Sequence, residues 1–393
     1  MIRHPTSLPS PALLRATLFL LFVVLVGTSS PAWAQSEADE DSFPTLDFAA
    51  NVMQSAQLLE VDDDNPYIRP ELAGSHHGFH RVRAGLNVTA QFHERVSTLV
   101  MIESEPNDFG GLSGSSIFDP QVDFVILDLD LTDRLTVRVG TPVTGLMNFR
   151  GFSDGPVVQG NPLIGNSPAD MITAGQGVKL IGTYDAVDFD LTINRGFGED
   201  FSSEVTGVNL IGKARIEASE RLSLGGGLAT STGNYGLVFA NGDGENYNFP
   251  GTPAASRETH ARMPNETILH LDGKLTAGPL SVDGWGGYAT QDDVSPYGDD
   301  RYQAAFVGVG GTYDLSSSVY AAGRLTYVGD RSDAVEDLES TALSRIQIGV
   351  GVRLLDAALL KVEAVRQVEG PNTALSQVRN NWYGLTTELS VNM

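Results

Sequence analysis

The sequence predicts an all-β protein, a transmembrane up-and-down antiparallel β-barrel of about sixteen strands with short periplasmic turns and long extracellular loops. Three observations predict it. Segments of about eight residues or more alternate apolar and polar side chains, the period of a strand with two unlike faces. Their connections alternate between short and long, as those of an outer-membrane barrel do. The N-terminus carries the pattern of an export signal.

That signal comes first along the chain. Arg3, His4 and Arg15 precede an apolar run from Ala16 to Val26, and Ala32-Trp33-Ala34 forms an A-x-A cleavage site. Residues 1–34 are expected to be removed, leaving 35–393 as a single barrel. The run is short for a spanning helix, which needs about 20 apolar residues. Composition narrows the rest. The chain has no cysteine, so disulfides and thiol chemistry are excluded. Its 49 acidic against 25 basic residues lack the basic footprint that nucleic-acid binding requires. Its 43 glycines suit many turns and tightly curved strands.

The strands fall at 46–60, 79–90, 94–104, 120–131, 134–142, 176–185, 187–195, 206–217, 221–231, 266–276, 280–290, 302–313, 319–329, 342–354, 359–367 and 381–393. The fourth and fifth show the logic. In DFVILDLDLTDRLTVRVG, Val125, Leu127, Leu129 and Leu131 alternate with Ile126, Asp128 and Asp130; a Thr132-Asp133-Arg134 step follows, and then Leu135, Val137 and Val139 alternate with Thr136 and Arg138. This is a hairpin with one apolar face. Other short steps include Asp185-Ala186, Ala218-Ser219-Glu220 and Ala277-Gly278-Pro279. The intervening connections, 61–78, 105–119, 143–175, 196–205, 232–265, 291–301, 330–341 and 368–380, are long and rich in Asp, Gly, Pro and Asn. A Greek-key sandwich has no reason to alternate in this way.

The period then says which face meets what. The parity of Leu127 and Val139 also holds Leu180, Leu191, Ile193, Leu210, Leu224, Val307, Ile348 and Leu389. The opposite parity holds most of the strand charges. In a membrane barrel the apolar parity faces lipid and the charged one a wet lumen. Tyr184 and Tyr313 end outward rows beside short turns, and Tyr288, Tyr327 and Tyr383 beside long loops, as two interfacial girdles would have them. Unpaired edges are not tolerated in lipid, so the last strand must close on the first. A barrel of this size is too wide for side chains to fill.

Residues expected to line the lumen are Arg81, Arg83, Asp128, Asp130, Arg138, Lys179, Lys213, Arg215, Arg324 and Arg345. Neither sign of charge wins among the inward positions. The third long connection, 143–175, is expected to fold inward as a pore-constricting loop, with Met147, Phe149 and Phe152 against the wall and Arg150, Asp154 and Asp170 toward the pore. Acidic runs such as VDDDNP at 61–66 and QDDVSPYGDD at 291–300 read as hydrated surface, or as cation-bridged contacts to lipopolysaccharide; they lack EF-hand spacing. His76-His77-Gly78-Phe79-His80 has no carboxylate or cysteine completing a metal set, so no metal and no cofactor is assigned. Gly225-Gly226-Gly227 lies inside a strand and is no phosphate loop.

Short motifs give the chain a resemblance to the phosphate-selective porin O and P family. The arginine-rich second strand Arg81-Val82-Arg83-Ala84-Gly85-Leu86 resembles that family's, as does Arg138-Val139-Gly140 before Pro142. Gly177-Val178-Lys179-Leu180 and the later Asn194-Arg195-Gly196 are similar too. The resemblance implies a sixteen-stranded channel, usually a homotrimer, that passes anions past an inward third loop. It does not carry phosphate specificity, because that family's constriction is basic and residues 143–175 hold no lysine and only Arg150. The ending Val391-Asn392-Met393 also departs from the terminal aromatic common in such barrels.

The expected function is therefore an outer-membrane porin for passive diffusion of small hydrophilic solutes or ions, not an enzyme. The alternatives are a barrel receptor, adhesin or lipid-hydrolysing enzyme that uses the long loops, and a soluble secreted β-protein.

Overall fold

A computed structural model of the chain describes residues 43–61, 74–104, 121–142, 144–149, 159–164, 167, 172–173, 175–194, 208–231, 266–291, 302–330, 342–369 and 381–393. Residues 1–34, the expected export signal, lie outside them. In chain order the strands are β1 (Thr45–Val61), β2 (Gly74–His93), β3 (Val96–Ser104), β4 (Gln121–Thr132), β5 (Leu135–Gly140), β6 (Thr144–Gly145), β7 (Ile172–Thr173), β8 (Gly177–Tyr184), β9 (Val187–Asn194), β10 (Asn209–Ser219), β11 (Leu222–Ser231), β12 (Glu266–Ala277), β13 (Leu280–Gln291), β14 (Tyr302–Asp314), β15 (Val319–Asp330), β16 (Ala342–Leu355), β17 (Ala358–Glu369) and β18 (Trp382–Asn392).

Sixteen of these pair antiparallel, each with its neighbour in sequence, in one closed barrel; β6 and β7 pair only with each other, between β5 and β8. Closure is made by β1 and β18, in register from Asn51 opposite Asn392 to Val61 opposite Trp382. Beyond Asn392 it continues through the termini's own backbone: the amide of Ala50 donates to the carbonyl of Met393 (2.9 Å) and that of Met393 to Ala50 (2.8 Å). The C-terminal Met393 therefore closes the seam through its main chain, whatever its side chain.

Each face reads as the alternation demands. Val125, Leu127, Val139, Val178, Leu191, Leu210, Leu224, Leu271, Val307, Ile348 and Leu385 are exposed on the outside, where water would be a poor partner and lipid a good one. On the inward parity, Arg83, Lys179, Asp190, Asp272, Arg324, Arg345 and Glu388 are buried. The five tyrosines are exposed at the ends of outward rows. At the short-turn rim the Arg134 guanidinium lies 5.9 Å from the Tyr184 ring centre, joining a headgroup-level aromatic to a cation. The tightest turns meet their backbone demands locally. Asp185 takes φ of 51° and Gly278 of 59°, the left-handed region that Gly, and less often Asp, visits at small cost.

One boundary differs from the sequence reading by more than three residues. β2 starts at Gly74 rather than 79, because Gly74–Phe79 stay paired with Ala56–Val61. Above the apolar band both faces of a hairpin meet water, so pairing persists where the period-two signature has no reason to. His76 and His77 accordingly lie in a strand rather than a loop.

The outward face makes a direct prediction. Ile348→Arg, at the middle of β16, is expected to destabilise the barrel in lipid vesicles by about 2–4 kcal/mol. Denaturant titration followed by tryptophan fluorescence measures it.

Candidate functional site

A wet lumen wants polar walls, yet one sector of the inner wall is apolar. Ile211 on β10, Ala229 on β11, Ile268 on β12, Trp285 and Ala289 on β13, Phe306 on β14 and Val328 on β15 form a single buried cluster. Its cover is Leu146, from the connection between β5 and β8, which is itself 1% exposed. Met147 packs beside it. The wall is cut to receive this segment. A Cβ on Gly227 would lie 2.7 Å from Leu146 Cδ2, and one on Gly225 2.4 Å from Asn148 Nδ2. Glycine at both positions lets the loop lie on the sheet backbone.

A carboxylate then fixes the segment's orientation. Asp272 on β12 accepts the backbone amide of Asn148 (2.5 Å) and its side-chain amide (3.0 Å). The same carboxylate stands 3.4 Å from Nε2 of His270, whose ring stacks on Phe306. At the base of the loop Thr144 and Gly145 pair with Thr173 and Ile172, drawing its two legs together.

The returning leg is pinned to the next sector of the wall. Glu363 on β17 accepts the amide of Ile164 (2.7 Å). Gln347 on β16 donates to the Ile164 carbonyl (3.1 Å) and to Glu363 (3.0 Å), so three groups form one closed set. Leu163 sits in a second apolar cluster with Tyr320, Ala322 and Leu359, over the space left by Gly349. The Tyr320 hydroxyl donates to the Pro162 carbonyl (3.1 Å), Ser167 bonds Thr326 (3.0 Å), and Gln159 donates to the carbonyls of Ala357 and Ser390 (3.0 and 3.1 Å). From its base between β5 and β8 the connection thus crosses the barrel to the β10–β15 wall and on to the adjoining β15–β18 wall. Burying Leu146 and Leu163 contributes about 2 kcal/mol each, and bonds to charged acceptors contribute comparable amounts.

Beneath the crossing lies a polar cavity of about 350 Å³, lined by Phe149, Lys274, Asp283, Arg324, Asp314 and Arg353 among others. Arg353 reaches over the Tyr320 ring (5.1 Å) and contacts Asp314 (3.3 Å).

Of the residues read as lumen-lining, the structure points Arg83, Asp128, Asp130, Arg138, Lys179, Lys213, Arg215, Arg324 and Arg345 inward; nothing is described of the Arg81 side chain. They do not form one ring. Asp128, Asp130, Arg138 and Arg215 are partly exposed, whereas Arg83, Arg324 and Arg345 are buried. Arg83 meets Glu103 (3.1 Å), Lys179 and Lys213 share Asp190 (3.0 and 3.7 Å), Arg324 donates to Gln347 (2.7 Å), and Arg345 donates to Gln367 and covers the Trp382 ring (5.3 Å). Met147 and Phe149 lie on or under the crossing; Arg150, Phe152, Asp154 and Asp170 lie outside the described residues. Among the described residues no group of three His, Cys, Asp or Glu is placed to hold a metal ion.

The residues that hold the loop, Leu146, Asn148, Leu163, Ile164, Asp272, Glu363 and Gln347, were not singled out by sequence pattern. A signal existed. Ile268, Trp285, Phe306 and Val328 are large apolar residues at inward positions of strands whose inward face should be wet.

No family model matches the chain, and no curated protein matches it. Solved structures do match in fold. The outer membrane channel DcaP of Acinetobacter baumannii aligns with TM-score 0.57 at 12% identity, over 91% of this chain and 99% of that one. OmpT, an outer membrane protein of Vibrio cholerae, gives 0.56 at 15% identity over 91% and 100%. An anion-selective porin from Comamonas acidovorans gives 0.55 at 12% identity over 89% and 100%. These likenesses concern the fold: the chain folds as a closed β-barrel of sixteen strands, as those outer-membrane proteins do.

The pinning predicts a protease phenotype. In folded protein the connection should resist proteinase K, while Asp272→Ala combined with Glu363→Ala should let it be cut between residues 144 and 175 with the barrel intact. Fragment masses measure it.

Proposed function

We propose that the protein is an outer-membrane porin, a water-filled channel for passive diffusion of small hydrophilic solutes or ions. The observation that carries this reading is the pinned connection between β5 and β8. A closed barrel of sixteen strands encloses more width than side chains can fill. A segment that leaves the wall between β5 and β8 and is fastened to the β10–β18 wall narrows that width without closing it. An adhesin or receptor has no need of a lumen so divided. Conduction follows from pore radius and the charges along it.

In this reading the loop supplies the constriction through Met147, Phe149, Arg150, Phe152, Asp154 and Asp170. The inward charges, Arg81 and Arg83 through Arg345, line or brace the pathway. The DcaP and Comamonas structures, described respectively as a channel and an anion-selective porin, support a channel by their common fold. The short motifs resembling the phosphate-selective porin O and P family support the same class, but a connection without lysine argues against phosphate as the solute. We also propose a homotrimer embedded in lipid and lipopolysaccharide; one OmpT structure is described as a trimer form.

Purified, folded protein in a planar bilayer should give stepwise conductance. Replacing residues 146–167 with a short Gly-Ser linker should raise the single-channel conductance severalfold, because conductance grows with the open cross-section. A folded barrel that inserts and stays silent would overturn the reading.

A further inference from the structure

We infer that the channel prefers cations, and that solvated acids in the half of the lumen nearest the short turns, Asp130 foremost, set the preference. The inference rests on the porin reading and names the class of solute it favours.

The inward charges fall into two populations. Those beside the pinned loop and on the adjoining walls are sealed: Lys361 and Glu388 meet at 2.7 Å with 2% of each side chain exposed, and Arg83 and Glu103 at 3.1 Å with 3% and 6%. This population leans positive. Lys179 and the partly exposed Lys213 share Asp190, and Arg324 and Arg345 flank Glu363 together with the neutral amides of Gln347 and Gln367. A sealed ion bound to its own partners does not trade counter-ions with the pathway.

The solvated population leans the other way. Arg138 donates two parallel bonds to Asp128 (2.8 and 2.7 Å), so that pair cancels. Arg353 is matched by Asp314 (3.3 Å), and Lys274 stands across the β12–β13 ladder from Asp283. Arg215 is a single base between two acids, in contact with Asp188 and 3.4 Å from Glu217. Among the described residues Asp130 meets a neutral donor, the Thr136 hydroxyl at 2.5 Å, and no base. Pair by pair, this half keeps a negative surplus: Asp130, and one of the two acids beside Arg215.

The rim below repeats the sign. Arg95 meets Asp133 and Arg134 meets Asp185 (3.3 and 3.5 Å), which leaves Glu94, Glu220 and Asp356 with Arg221 among the described turn residues. Rings of carboxylates facing water select cations, as rings of Arg and Lys select anions. The effect reaches about 8–10 Å at ordinary salt. The sign is opposite to the one a likeness to anion channels would suggest.

The test is the reversal potential of single channels in a tenfold KCl gradient. Wild-type protein should reverse on the potassium side. Asp130→Asn combined with Glu217→Gln keeps an acceptor for each hydroxyl partner, Thr136 and Ser223, and strands no base. This variant should move the potassium-to-chloride permeability ratio toward one, more at low salt than at high, with little change of conductance in symmetrical salt. A wild-type channel that prefers chloride would overturn the inference, and so would a variant whose reversal potential equals wild type. Either result leaves the channel itself standing, whereas absence of conductance from folded barrel would remove channel and inference together.

Discussion

A backbone amide that crosses a bilayer has no water to bond, so it must find its partner within the protein. Everything else in this molecule follows from that demand. It is why β1 and β18 meet, and why the ladder runs past Asn392 until Ala50 and Met393 exchange both of their hydrogen bonds. It is also why the chain needs no helix and no disulfide to hold its shape. Once the sheet is closed, the period-two alternation has a single consistent orientation. Ile346, Ile348 and Val350 turn to lipid while Arg345, Gln347 and Gly349 of the same strand turn inward.

Closure solves the edge and creates a void. Sixteen strands enclose more space than their own side chains occupy, and the connection between β5 and β8 takes up part of it. Its placement uses both parts of the inner wall's chemistry. Leu146 and Leu163 seek the two apolar clusters; Asp272 and Glu363 meet backbone amides that would otherwise be buried without partners. Two leucines without the carboxylates would hold the loop without orienting it. The carboxylates alone would bond a loop that water could still reach. The inward charges fall into a sealed, internally paired group and a solvated one that faces the lumen.

Much of this was legible in the chain. The sixteen strands, the alternation of short and long connections, the outward parity and the tyrosine girdles all follow from local period, because lipid and water impose it residue by residue. The path of the loop was not. Asn148 and Asp272 are 124 residues apart, and no local pattern joins them. Which inward charges would be solvated was equally hidden: Arg138 and Arg345 have the same sequence signature, an arginine at an inward strand position. They differ in what surrounds them: Arg345 is buried, donating to Gln367 and lying over the Trp382 ring, whereas Arg138 meets Asp128 and stays partly exposed. The exception is instructive. Apolar residues at inward positions, Ile268 and Phe306 among them, are out of place in a wet lumen, and such misfits mark where an inner segment will dock.

The orientation of the two faces is tested most directly by single cysteines, since the chain has none of its own. Cysteine would replace Ile346, Ile348 or Val350 on the outward parity and Asp128, Asp130 or Thr136 on the inward one, each in barrel reconstituted into vesicles. A membrane-impermeant maleimide supplied on both sides should modify the second set and leave the first unmodified. Modification at 348 together with protection at 130 would contradict a barrel that turns its apolar face to lipid and its acids to water.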